Sequence, residues 1–407
     1  MTSQNAKPRV AILTVGRSDF GIIRPLVEAM VDSDDFDAGL WVTGAHYDQS
    51  SGNTIDEVRA SELPIWAELP LPTLERDPAG SITTAGMIFT GYAEHFATGP
   101  RPDLLVILGD RYEAFAVGSA ATLANLPIAH ISGGSITEGA IDDVLRHCLT
   151  LMADIHFCDT LRFAQRINQL GARPESIHVV GALGLDGIRE RANLNWDELV
   201  ERVPAMKSLG GPGYFLVTIH PETRRPGVTA ALAKASTEAL GATRRPVLYT
   251  HPNADAEARG IIEAIDEACA THPNHVVVPN LGATNFYAAM DLAAAMVGNS
   301  SSGIIEAASF GLPVLNIGDR QLGRFCGRNV VHCSAAAEEI SCGLEQVTSK
   351  EFRDDVRSDG NPYGDGRAAT RVMSSLITYF QGTPSPLHSF SEYQPARVAA
   401  LNAKDPK

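Results

Sequence analysis

Carboxylates and arginines in this sequence gather directly behind short apolar runs. Leu108-Gly-Asp-Arg-Tyr-Glu113 sets Asp110 and Arg111 just past the run 104–108, where a carboxylate acts either as a base or as a helix cap. The run 128–131 leads into His130-Ile-Ser-Gly-Gly134, and the chain continues through Glu138 to Asp142, Asp143, Arg146 and His147. Three carboxylates at one loop and helix start would satisfy a helix amino terminus. Their convergence with Asp110 from a neighbouring strand end points instead to proton transfer. Upstream, Thr14-Val-Gly-Arg-Ser-Asp-Phe-Gly21 puts Gly16 and Arg17 where a loop enters a helix, a place suited to phosphate, with an ordinary turn capped by Asp19 as the plain alternative.

The second half carries a different set. Val217-Thr-Ile-His-Pro-Glu-Thr223 places His220 at a strand end, and Thr250-His-Pro-Asn253 repeats the arrangement, although His-Pro is also simple turn chemistry. Gly298-Asn-Ser-Ser-Ser-Gly303, followed by Glu306, is more specific. Small residues let backbone approach diphosphate oxygens, hydroxyls donate, and Glu306 can accept both hydroxyls of a ribose. Gly318-Asp-Arg-Gln-Leu-Gly-Arg324 adds Arg320 and Arg324, as an anion site or a solvated basic turn.

These positions require strands that end together. Apolar runs at 10–15, 39–42, 104–108, 128–131, 155–158 and 177–180 alternate with helical-period segments such as 22–31. Runs apolar on both faces and separated by helices predict a parallel sheet covered on both sides. A second series, 214–218, 247–249, 276–278, 295–297 and 314–317, is separated by Ala-rich helices at 228–240 and 256–270. The expected fold is α/β, with two Rossmann-like doubly wound domains facing a central cleft. The predicted division is a first domain over 1–190, a linker over 191–213 that includes Lys207-Ser-Leu-Gly-Gly-Pro-Gly213, a nucleotide-binding domain over 214–380 and an irregular tail over 381–407.

Of the 407 residues, 44% are hydrophobic and 20% charged, which excludes a disordered chain or a coiled coil. A formal charge of -15 argues against nucleic acid or anionic lipid as partner, so an anionic ligand needs local basic residues. The 6 cysteines form no C-x-x-C pair, and neither a zinc ribbon nor a disulfide scaffold is expected. No nucleotide fingerprint of the G-x-G-x-x-G type follows the first strand, and no G-x-x-x-x-G-K-[ST] occurs, so nicotinamide and P-loop chemistry lack an anchor. The expectation is a soluble cytoplasmic protein without signal peptide or membrane span.

Taken in one order, Gly16-Arg-Ser-Asp-Phe-Gly21, Gly52-Asn-Thr54, Gly109-Asp-Arg-Tyr-Glu113, Gly133-Gly134, Asp142-Asp143, Arg146-His147, His220-Pro221, Gly298-Asn-Ser-Ser-Ser-Gly303 and Gly318-Asp-Arg-Gln321 resemble the hydrolysing UDP-N-acetylglucosamine 2-epimerases. The resemblance spans about 10–380 and implies a fold similar to the GT-B glycosyltransferases. It implies cleavage of UDP-N-acetylglucosamine to N-acetylmannosamine and UDP through 2-acetamidoglucal, with no cofactor and no metal. By the same resemblance Asp110, Asp142 and Asp143 are acid/base carboxylates, Arg111 and Arg146 lie near sugar and diphosphate, and His220 is on the diphosphate side. Arg17 faces the phosphates, while Asn253, Phe286, Ser300, Ser301 and Glu306 hold the nucleotide, with Phe286 on uracil; Arg320 joins the substrate-binding set. Family members carry an acidic residue where Ser132 or Ser135 stands, and Glu138 is the expected substitute. The expected partner is a small-molecule nucleotide sugar, and the expected assembly a homodimer or homotetramer. A non-hydrolysing epimerase, a glycosyltransferase of the same fold and a silent nucleotide-sugar binder are the competing readings.

Overall fold

The computed structural model describes residues 7–48, 53–72, 78–137, 141–222, 227–252 and 258–382. Glu138, Asn253, Gly52 and the tail beyond 382 therefore lie outside the described residues. The chain divides into two compact units, the first formed by Met1–Ile136, Ala140–Asp186 and Gly366–Lys407, the second by Thr137–Gly139 and Gly187–Asp365.

The first unit is built on seven strands: β1 (Arg9–Thr14), β2 (Asp37–Val42), β3 (Ile65–Glu68), β4 (Leu104–Leu108), β5 (Ile128–Ile131), β6 (Ile155–Cys158) and β7 (Ile177–Val179). They lie in the order β3-β2-β1-β4-β5-β6-β7, all pairs parallel. Alternate residues of one strand feed two cores, as burial on both faces demands. Val10, Ile12, Leu40 and Val106 pack with the helices Arg17–Val31 and Ala368–Gln381. Ala11, Leu13, Leu105 and Ile107 pack with residues of the helices Pro78–Thr98 and Tyr112–Leu123. Strand order reverses between β1 and β4, so the loops that leave those two strands diverge and open a crevice at the carboxyl edge of the sheet.

The second unit repeats the plan with β8 (Phe215–Thr218), β9 (Val247–Thr250), β10 (His275–Val277), β11 (Ala295–Gly298), β12 (Val314–Ile317) and β13 (Val330–Cys333). The order is β10-β9-β8-β11-β12-β13, again parallel, with its reversal between β8 and β11. Gly298 has φ 128, and a Cβ there would stand 2.1 Å from the Thr218 carbonyl oxygen, so the turn out of β11 admits only glycine.

Two boundaries differ from the sequence expectation. The segment 191–213 is not a bare linker: it holds the helix Trp196–Arg202, capped by Asn195 in a reciprocal box with Glu198, and the 3-10 helix Pro204–Leu209, with Leu199 and Met206 buried. The helix Ala368–Gln381, expected with the second domain, belongs to the first unit, where Val372 and Leu376 are fully buried in the core. Its amino terminus is held by one carboxylate, since the Ala368 and Ala369 amides donate to Asp186 Oδ1 and Oδ2 at 2.8 and 2.6 Å. Among the described residues no helix is long and apolar enough to cross a membrane.

The Asp186 clamp gives a stability prediction. Asp186→Ala strands two amides at a helix start and should cost roughly 1 to 3 kcal/mol in denaturant unfolding. A midpoint and slope equal to the parent's would show that the closing helix holds by its apolar face alone.

Candidate active site

In the first unit the sequence-predicted residues converge at the carboxyl edge of the sheet. Asp110 follows β4, and Arg146 projects from the second turn of the helix Ile141–Met152, which packs on the helix following β4. The Arg146 guanidinium, only 5% exposed, joins them: Nη2 donates to Asp110 Oδ2, while Nη1 donates to Asp143 Oδ1 at 3.1 Å and to the Ser135 carbonyl at 3.0 Å. A buried cation with two carboxylate partners is stable where a lone one would not be. Asp142 lies one residue before Asp143 and forms no such bridge among the described residues. Burial, and then the neighbouring Asp110, push its carboxyl above the usual range. His147 sits 3.8 Å from Asp143, and burial lowers its imidazole.

Arg111 is not left free for ligand. Its guanidinium makes a two-pronged contact to the buried Glu113, at 3.1 and 2.7 Å. Arg17 is 72% exposed and pairs with Glu57 at 3.2 Å, so a phosphate there would compete with a solvated ion pair. Asp19 does not cap its helix: the N-cap is Gly16 and no side chain closes it. Burial instead raises the Asp19 carboxyl to about 6, against the opposing pull of Arg111. The loop after β5 is tightly packed, since a Cβ on Gly134, at φ 77, would come within 2.6 Å of the Phe163 carbonyl oxygen. Ser132 also adopts positive φ, at 63, an uncommon setting for a residue with a side chain.

The second unit gathers His220, Ser300 and Arg320 around a buried amide. Asn299 is fully buried; its Oδ1 accepts from the His220 amide at 2.7 Å and its Nδ2 donates to the His220 carbonyl at 2.9 Å. The Asn299 carbonyl accepts from Arg320 Nη1 at 3.0 Å and Gln321 Nε2 at 2.8 Å. Asn299 thus ties the ends of β8 and β11 together through its side chain and holds the loop after β12 through its backbone carbonyl. Ser300 Oγ accepts from the Ser302 amide at 3.3 Å and caps the short helix Ser301–Ile305. Glu306 follows directly; burial raises its carboxyl, while Ser302 and then Arg191 oppose the rise. Phe286 makes a ring contact with Tyr287, which stacks at 6.4 Å on Phe310 and carries Arg191 over its face at 5.3 Å.

Sequence reasoning did not single out Asn299, Glu222 or Asp159. The buried Glu222 accepts from the Asp319 amide at 2.8 Å, and a Cβ on Gly318 would strike its carboxylate. Asp159 follows β6 as Asp110 follows β4, and that position was its available signal.

Comparison with known proteins adds a family. Residues 28–377 match the family model described as UDP-N-acetylglucosamine 2-epimerase. A UDP-N,N'-diacetylbacillosamine 2-epimerase (hydrolyzing) of Legionella pneumophila is 31% identical over 384 residues, covering 94% of this chain and 97% of that protein. A GDP/UDP-N,N'-diacetylbacillosamine 2-epimerase (hydrolyzing) of Campylobacter jejuni is 30% identical over 350 residues, covering 86% and 89%. Among solved structures, the Neisseria meningitidis UDP-GlcNAc 2-epimerase bound to UDP-GlcNAc superimposes with a TM-score of 0.73 at 15% identity, covering 91% of this chain and 100% of that one. That likeness carries the fold, a GT-B-like pair of doubly wound domains. The family model reaches from the first helix to the last, and on that match the chain belongs to the UDP-N-acetylglucosamine 2-epimerase family of enzymes.

Proposed function

We propose that the protein is a hydrolysing 2-epimerase of a UDP-linked 2-acetamido sugar, converting UDP-N-acetylglucosamine to N-acetylmannosamine and UDP. The observation that carries this reading is the bridge from Arg146 to Asp110 and Asp143, with Asp142 beside it. The C2 proton of the donor is not acidic, so the C1–O bond must weaken first. As UDP departs with its electron pair, positive charge grows at C1, the C2 proton passes to a carboxylate, and a C1=C2 bond forms in 2-acetamidoglucal. Water then adds its hydroxyl to C1, and a proton returns to C2 from the opposite face.

In this scheme Asp110, Glu138, Asp142 and Asp143 are the carboxylates from which the acid and base are drawn. Arg146 orients Asp110 and Asp143. His220, Arg17, Arg111 and Arg320 offset charge on the departing diphosphate, while Asn253, Ser300, Ser301, Phe286 and Glu306 hold the nucleotide. The Arg111 and Arg17 assignments require each to exchange its present carboxylate partner for phosphate. A second reading replaces the donor by UDP-N,N'-diacetylbacillosamine, the substrate named for the Legionella pneumophila relative. A homodimer or homotetramer belongs to the same proposal; Ile82, Leu123, Ile141 and Val144, exposed on three helices packed side by side, support it.

Three outcomes test the reading. Offered UDP-linked N-acetylglucosamine and N,N'-diacetylbacillosamine in turn, the protein should release a free epimerised sugar and UDP from one of them. Return of an intact epimerised UDP-sugar would instead identify a non-hydrolysing epimerase, and release only with an added acceptor a glycosyltransferase. Asp142→Asn should cut turnover by at least roughly a hundredfold with UDP affinity unchanged; a parallel loss of UDP binding would assign Asp142 to the nucleotide. Glu306→Ala should weaken UDP binding by about 1 to 3 kcal/mol in calorimetry, and an unchanged affinity would make Glu306 a helix-end residue only.

A further inference from the structure

Asp159 is a buried carboxylate, 9% exposed, at the carboxyl edge of the first sheet. Among the described residues it makes no ion pair. Its partner is Ser132, whose Oγ donates to Asp159 Oδ1 at 2.9 Å. Ser132 is itself held at φ 63, with its amide fixed by the Phe157 carbonyl at 2.8 Å. A non-glycine residue kept in that region is a conformational cost that tends to accompany function. Leu108 pairs with Ile131 and Ile131 with Phe157, so Asp110, Ser132 and Asp159 leave three neighbouring strands at the same carboxyl edge of the sheet. Arg146, which bridges to Asp110, also lies close enough to act on the Asp159 charge.

We propose that Asp159 is a positioning residue that supplies, through the Ser132 hydroxyl, the proton returned to C2. This rests on the 2-epimerase reading above and adds the second proton group to it. Asp159 begins the step as a carboxylic acid. The protonated Asp159 donates to Ser132 Oγ, the reverse of the hydrogen bond seen with its carboxylate, so that Ser132 Oγ gives its own proton to C2 of the glycal as it takes one from Asp159, while the C1=C2 electron pair forms the new C2–H bond. The oxygen of water bonds to C1, and the proton that water sheds returns through Ser132 to Asp159. The proton first taken from C2 by the opposite carboxylate leaves to solvent. Burial, opposed by the Ser132 hydrogen bond and then by the Arg146 charge, raises the Asp159 carboxyl to about 6, which lets it both hold and release a proton near neutrality.

The test uses the full chain and the donor that the wild type turns over, with UDP, glycal and free sugar followed separately. Ser132→Gly removes the hydroxyl at a backbone conformation glycine favours, and Asp159→Asn keeps the shape while removing the proton. Both should still release UDP but accumulate 2-acetamidoglucal, with free sugar formed at least roughly a hundredfold more slowly. In the Asp159→Asn background, Ser132→Asp places a carboxylate one step nearer and should recover free-sugar formation at least tenfold. Free sugar at the wild-type rate in the two single variants would overturn the proposal. So would an equal fall of UDP and sugar with no glycal, which marks a structural role. A wild type that releases no free sugar from any donor is a different failure, and it removes the epimerase reading itself.

Discussion

The buried Arg146 guanidinium constrains everything at the carboxyl edge of the first sheet. A cation at this depth is tolerable only with its hydrogen-bonding positions filled by acceptors, and the chain fills them from three places: the loop after β4, the carbonyl of Ser135 and the first turn of its own helix. Because the partners are separate in sequence, satisfying one guanidinium sets the position of the β4 loop, the β5 loop and the helix together. Asp142 is left as the neighbouring carboxylate without such a bridge, and burial, then the nearby Asp110, raise its proton affinity. Arg111, at the start of the helix after β4, adds a second ion pair there, to the buried Glu113.

The second unit solves a comparable problem with a neutral group. Asn299 spans the β8 and β11 ends by pairing with both polar groups of the His220 backbone, and its own carbonyl anchors Arg320 and Gln321. An amide that both donates and accepts can join two strand ends without a charge of its own.

Much of this was legible beforehand because the central strands are buried on both faces and read as unbroken apolar runs. The runs over 104–108, 128–131 and 314–317 coincide with β4, β5 and β12. The placement of Asp110 and of the loop from Gly298 directly behind such runs was legible for the same reason. What stayed hidden lacks a one-dimensional signature. The edge strands β3 and β13 have half-buried or exposed residues, and their apolar stretches are only three and two residues long. The helix Pro78–Thr98 carries glycines and threonines around its length and has no distinct apolar stripe. Ala368–Gln381 is periodic, but nothing local states that its partner is β1's helix rather than the nearer second sheet. Asp159 stands directly behind an apolar run, but its partner Ser132, 27 residues earlier, is set beside it only by the sheet order.

The central claim is that a carboxylate removes the C2 proton and a different group returns one from solvent. The most direct measurement is hydrolysis of the nucleotide sugar in deuterium oxide, with the free sugar read by proton NMR. An inverted C2 carrying deuterium, formed together with UDP, is the expected result. A free sugar of retained configuration with protium at C2 would contradict it, because UDP would then have been lost by simple hydrolysis with no proton chemistry at C2.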